Sequence, residues 1–230
     1  MRKYTNYFTI TEIVLWASSA LLIIISFIIF DKTNYLTLAA SLIGVTSLIF
    51  SAKGNPFGQF LMVIFSLLYG IISYSFAYYG EMITYLGMTL PMSFLALIQW
   101  VKNPFGQGKS EVKVNSIGKK ETAVMFLLSI AVTIVFYFIL IFFDTANIIP
   151  STLSVTTSFI AVYLSFRRSP FFALAYAAND IVLIVLWILA SITNICYISV
   201  VVCFTAFLVN DIYGFINWQS MKKCQSEKVN

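Results

Sequence analysis

Not one of the 230 residues is a histidine. The commonest metal ligand and general base is therefore missing. The three cysteines, Cys196, Cys203 and Cys224, form no C-x-x-C pair and no even-numbered framework, so neither a metal centre nor a disulfide scaffold is expected. Charge is scarce too: Asp, Glu, Lys and Arg make up 10% of the chain, against about 25% in an average soluble domain. Apolar residues fill the gap at 60%.

A helix needs about 20 mainly apolar residues to cross a hydrocarbon core about 30 Å thick. Eight runs free of Lys and Arg approach or exceed that length, at about 13–30, 36–52, 59–79, 82–101, 122–143, 148–166, 171–193 and 195–218. The one sizeable loop is 102–121, so function is expected inside the bilayer. The opening MRKYTNYFTITEIVLW has a basic head and then an apolar stretch, as a signal peptide does. That stretch is long and lacks an A-x-A-like site, which predicts a retained first span.

If the eight spans alternate, one side receives thirteen of the 14 Lys and Arg and the other only Lys32. The positive-inside rule then predicts both termini in the cytoplasm. The net charge of +5 is explained by topology and anionic lipid headgroups, with no nucleic-acid partner required.

The pentapeptide NPFGQ occurs at 55–59 and again at 103–107, each time at a predicted helix end on the basic side. A related RSPFF follows the sixth span at 168–172. SAKGNPF (51–57) matches SFRRSPF (165–171) at a shift of 114, and FLALIQW (94–100) matches IYGFINW (212–218) four residues further on. Spans two to four thus resemble spans six to eight, an internal repeat. A three-span unit has odd parity, so a connecting span is needed to keep the second copy in the same orientation. The fifth span, without acids or amides, suits that role. The predicted fold is an all-α integral membrane protein of eight transmembrane helices, 1+3+1+3, with two parallel three-helix repeats joined by a linker helix. Its expected divisions are an extra helix (1–34), a first repeat (35–103), a loop and linker (104–147), a second repeat (148–220) and a tail (221–230).

An Asp at the centre of a span costs about 2.5–3.5 kcal/mol on insertion scales, so each one needs a reason. Asp180 lies about 14 Å from the start of span seven, and Asn210 about 12 Å from the end of span eight, a common depth. Tyr176, Asp180 and Trp187 share a stripe of span seven, beside Asn179, and Asn210, Tyr213 and Asn217 share one on span eight. Ser66, Tyr69 and Ser73 make a stripe on span three, and Thr89, Ser93 and Gln99 dot span four. Aromatic faces with amides, hydroxyls and a carboxylate suit a flat heterocycle attached to a sugar. The candidate substrate-binding residues are Asp180, Tyr176, Asn179, Trp187, Asn210, Tyr213, Asn217, Ser66 and Tyr69. For Asp180 the alternative is a structural pair with a neighbouring Asn or Tyr, and Asp211, closer to the basic surface, is balanced between the two roles. Trp16, Trp100 and Trp218, at span ends, are expected in the interface belt. FGQGKS (105–110) resembles the end of a phosphate-binding loop, but Asn103 stands where G-x-x-x-x-G-K-S/T needs Gly, so no ATPase is expected. Neither are a catalytic site, a metal or a cofactor.

YYGEMITYLGMTLPMSFLALIQWVKN (78–103), AANDIVLIVLW (177–187) and NDIYGFINW (210–218) resemble the PnuC family of nicotinamide riboside transporters over about 35–220. The resemblance implies a three-plus-one-plus-three core, often with an extra first span, and a central site between the halves. It also implies facilitated diffusion of an unphosphorylated vitamin or nucleoside across a bacterial plasma membrane, trapping by a cytoplasmic kinase, and a trimer. The family's W-x-x-W-x-x-x-N/D signature falls on Ala173, Tyr176 and Asp180, so the acid matches and both tryptophans are replaced. Its Tyr-Gly-x-x-x-Trp ending matches Tyr213, Gly214 and Trp218, while on span three, where an amide is common, this chain has Phe65 or Ser66. Two rival readings fit the same chain: the same fold carrying a deoxynucleoside or thiamine, and a membrane receptor or scaffold acting through the 102–121 loop.

Overall fold

The structure is a computed structural model that describes residues 7–75, 78–106 and 110–228. Arg2, Lys3 and Lys109 of the charge tally, and the Gln that ends the second NPFGQ, lie outside the described residues. The described chain holds eight helices long and apolar enough to cross a membrane. They are α1 (Ile10–Phe30), α2 (Tyr35–Ala52), α3 (Pro56–Ser75), a fourth span built from α4 (Tyr79–Thr84), a π-helical turn (Tyr85–Thr89) and α5 (Leu90–Lys102), then α6 (Lys119–Phe142), α7 (Ile148–Phe166), α8 (Phe172–Ser191) and α9 (Ile198–Glu227). α9 continues past the expected span end by more than two turns, so most of the 221–230 segment is helical.

Pro91 explains the π turn. It lacks the N–H that an α-helix would send to Gly87, and its ring crowds that carbonyl. The chain widens just before it, with Leu90 N–H bonding back to Tyr85 O.

Six spans close into a ring. α2 packs on α3, α3 on α5, α5 on α7, α7 on α8, α8 on α9, and α9 back on α2. α6 leans on α7 from outside, and α1 lies against α9 and α2. Nothing but apolar side chains covers most of α6, consistent with lipid around it. α1 is held by a buried acid: Glu12 accepts from Lys53 Nζ at 3.0 Å and from Tyr213 OH at 3.2 Å, while closing a capping box with Thr9.

The two Pro-Phe turns are built alike. Gly54 (φ 63°) and Arg168 (φ 55°), 114 residues apart (168 − 54), both take the left-handed conformation. Gly54 N–H donates to Ser51 O at 2.9 Å and Arg168 N–H to Ser165 O at 2.9 Å. Both turn carbonyls are then strapped by the same loop, as Val112 N–H donates to Gly54 O and Asn115 N–H to Arg168 O. The second NPFGQ behaves differently. Asn103 ends α5, and Pro104 enters a bridge with Val112 instead of starting a helix, because a polar stretch follows it rather than another apolar run.

Trp100 and Trp218 make a reciprocal clasp between the halves. Trp100 Nε1 donates to Ser165 O at 2.9 Å, and Trp218 Nε1 donates to Ser51 O at 2.8 Å. The acceptors differ by 114 positions and the donors by 118, the two offsets found in the sequence. These matched bonds support the internal repeat. Neither indole lies in an interface belt as expected; both are fully buried, ring centroids 5.3 Å apart, because each span end faces the other half rather than lipid. Trp16 is the surface indole of the three, bonded to Thr46 Oγ1.

Candidate functional site

Every span of the ring contributes to one enclosed cavity at mid-depth, the fourth through its π turn. The first half supplies Leu48, Met62, Phe65, Tyr85 and Thr89. The second supplies Ser158, Tyr176, Asn179, Asp180, Phe204, Phe207 and Asp211. Polarity is one-sided: both carboxyls and the amide come from α8 and α9, while the first half offers rings, a thioether and a hydroxyl. The cavity measures about 20 Å³. That holds about one water molecule, since a site of roughly 10–15 Å³ on this measure is enough for one. It is far below the roughly 300 Å³ or more of typical ligand pockets. The roomy chamber implied by the sequence is here a contracted one.

Aromatic layers seal it on both sides. On the side bearing the basic loops, Phe172 stacks edge-on against Trp100 and Trp218, at 5.9 and 4.8 Å. On the opposite side, Tyr69 and Tyr85 sit 4.4 Å apart, and Trp187 packs against Tyr78 and Tyr197 at 4.9 and 5.4 Å.

Within the cavity wall, Asn179 Oδ1 accepts from Thr157 Oγ1 at 2.8 Å and Ser158 Oγ at 3.0 Å. Its oxygen is thus engaged by α7, leaving the amide NH₂ as the group open to a solute. Asp180 and Asp211 are 3% and 4% exposed and adjoin each other. Asp180 Oδ2, Tyr176 OH and Thr89 Oγ1 are buried without a hydrogen-bond partner. Other buried polar atoms also lack partners, but these three share one void, where a solute could meet them together.

Of the residues expected from sequence, Asp180, Tyr176 and Asn179 meet at this cavity. The others lie elsewhere. Trp187 stands two turns above Asp180 in the opposite-side aromatic layer, with Tyr69 beside it. Ser66 turns back to donate to Met62 O. Asn210 donates to Ser19 Oγ on α1 at 2.9 Å, Tyr213 to Glu12, and Asn217 to Ala52 O at 2.6 Å beside an open cleft of about 720 Å³ on the basic side. The stripe Asn210-Tyr213-Asn217 therefore faces α1 and α2. One residue is 100° on a helix, and the neighbouring stripe Phe204-Phe207-Asp211-Trp218, spaced 3, 4 and 7, is the one that faces the ring interior. That spacing is visible in the sequence, with a carboxylate in the middle of it. Glu81, not among the sequence candidates, is 1% exposed, accepts from Ser154 Oγ at 3.2 Å, and lies next to the opposite-side layer.

The family description "Nicotinamide mononucleotide transporter" matches residues 34–220. The nicotinamide riboside transporter PnuC of Neisseria mucosa is 27% identical over 203 residues, covering 86% of this chain and 77% of that protein. A crystal structure of the vitamin B3 transporter PnuC shares the fold with a TM-score of 0.83 at 23% identity, over 96% of this chain and 95% of that one. Since the family match spans most of its length, the chain belongs to the nicotinamide mononucleotide transporter family, the PnuC family that its motifs resemble.

Proposed function

We propose that the protein carries nicotinamide riboside across a bacterial plasma membrane by facilitated diffusion, with both termini in the cytoplasm. The observation that carries this reading is the closed cavity at mid-depth, walled by all six spans of the ring, where a carboxyl oxygen, a phenol and a hydroxyl are buried without partners. Asp180 and the Asn179 amide are suited to ribose hydroxyls or ring substituents, and Tyr176 with Tyr85 to the faces of the ring. A riboside fits better than its 5′-phosphate: two aspartates and, among the described residues, no Lys or Arg line the cavity, so a phosphate would meet only like charge. Transport proceeds by opening the two aromatic layers in turn, a rocking of like-facing halves. Phosphorylation by a cytoplasmic kinase then traps the riboside, and the chain assembles as a trimer, both extensions of the family resemblance.

The test is uptake of labelled nicotinamide riboside into proteoliposomes. Saturable flux above empty vesicles is expected, and its absence would refute the reading. Asp180→Asn should weaken uptake strongly; full retention would remove Asp180 from the site.

A further inference from the structure

The reading above gives Asp211 no contact with the riboside, yet its carboxyl adjoins that of Asp180 across the α8–α9 contact, and both line the cavity. Two carboxyls taken out of water beside each other repel when ionised, and such groups ordinarily find a basic partner. Here none is present among the described residues. The two ion pairs formed among the described residues, Glu12 with Lys53 and Glu121 with Arg167, both lie at the basic side. The titratable groups that do face the pair are Tyr85 from the π turn, Tyr176 from α8 and Cys203 from α9. None of these is a cation. Beside Leu48, Met62, Ser158 and Asn179, the walls include Phe65, Phe204 and Phe207, whose ring faces are electronegative and attract positive charge. An unpartnered Thr89 hydroxyl, independent of the acids, also borders the void.

We infer that Asp211 and Asp180 together form a counter-ion for a positively charged heterocycle, with Asp211 the residue that sets selection of cationic ribosides over neutral ones of the same shape. The inference deepens the proposed function, because nicotinamide riboside carries a quaternary ring nitrogen whereas its dihydro form is neutral and nearly the same size. Selection arises because a cation supplies the counter-charge that the ionised pair lacks, while a neutral ring adds only stacking.

The test is calorimetric titration of the purified full chain with nicotinamide riboside, dihydronicotinamide riboside and thiamine, a second cationic ring. The wild type should prefer nicotinamide riboside to its dihydro form by at least about 30-fold, as expected where a buried charge loses its partner. Asp211→Asn should cut that ratio by about tenfold, and Asp180→Asn/Asp211→Asn should bring it near one. Purely structural damage would lower both affinities in step and leave the ratio unchanged, which would overturn the inference, as would a wild type that favours the neutral form. Binding of thiamine without nicotinamide riboside would uphold charge selection and refute the substrate named above.

Discussion

Gly44 of α2 faces the ring interior without lining the void, and a single methyl there should stop transport while leaving the fold intact. A Cβ at Gly44 would lie 2.2 Å from Phe207 Cζ and 3.0 Å from Phe65 Cδ2. Ordinary contact begins at 3.4 Å, so the Phe207 tip must retreat by about 1.2 Å (3.4 − 2.2). Phe207 is wedged between Phe204 and Phe65, at 5.6 and 5.4 Å, and the free space next to it is the 20 Å³ cavity. Gly44→Ala therefore moves an aromatic ring into the solute's position. Overpacking costs about 1–3 kcal/mol, and the gain in helix propensity over Gly returns about 1 kcal/mol, leaving a net loss of about 0–2 kcal/mol in stability. A displacement of this size at a binding site lowers turnover far more, at least about tenfold here. Gly214→Ala on α9 is the matched control, since its Cβ would meet its nearest neighbour at 3.5 Å, an ordinary contact. Uptake into proteoliposomes and thermal unfolding in detergent, run on both variants, give the answer. If Gly44→Ala transports like the wild type, or if Gly214→Ala loses as much, the assignment of this void as the solute site is refuted.

The reciprocal clasp predicts that Trp100→Phe and Trp218→Phe destabilise to a similar degree, about 2–3 kcal/mol each, from one lost hydrogen bond and a partly emptied ring site. Because the rings touch, the double variant should fall short of the sum in thermal or denaturant unfolding, and a large inequality between the singles would contradict matched halves. Lys53→Met strands the Glu12 carboxylate and should cost about 2–3 kcal/mol, the low end for a buried pair because Lys53 still reaches water. Adding Glu12→Gln should recover more than half of that loss, read by the same melts. Asp31, between α1 and α2, is held above the usual carboxylate range by burial, partly countered by the Asn34 amide. The folded form then favours its protonated state, so the stability it lends is present at acid pH and lost as pH rises through the raised value. Asp31→Asn should accordingly stabilise the protein at neutral pH and change little in acid, a difference that unfolding curves at two pH values would reveal.

The membrane class and the number of spans were readable because lipid imposes a length and a polarity on each helix independently of its neighbours. The repeat was readable for a related reason. A turn such as SAKGNPF writes its geometry locally, through a left-handed residue and a proline at fixed spacing, and the same letters recur 114 positions later. That Asp180 would sit inside the bundle with Tyr176 and Asn179 beside it was legible because a carboxylate deep in a span is costly wherever the helix points.

Which way a helix points is a different kind of information. Asn210 and Asp211 are adjacent in the chain, both polar and at nearly the same depth, and neither propensity nor hydropathy says which of the two faces the ring interior. The packing of α1 against α9 turned Asn210 toward Ser19 and left Asp211 to the cavity. Trp100 and Trp218 likewise sit at span ends, where lipid would favour a belt, and only the approach of the two halves buried them. On its own, then, the sequence determined the spans, their alternation and the turns that end them, since each depends on contact with lipid or on bonds within a few residues. Rotation of each helix about its axis, the closure of the ring and the meeting of two carboxyls between α8 and α9 were decided by tertiary structure, because they depend on contacts between residues far apart in the chain, which no local pattern encodes.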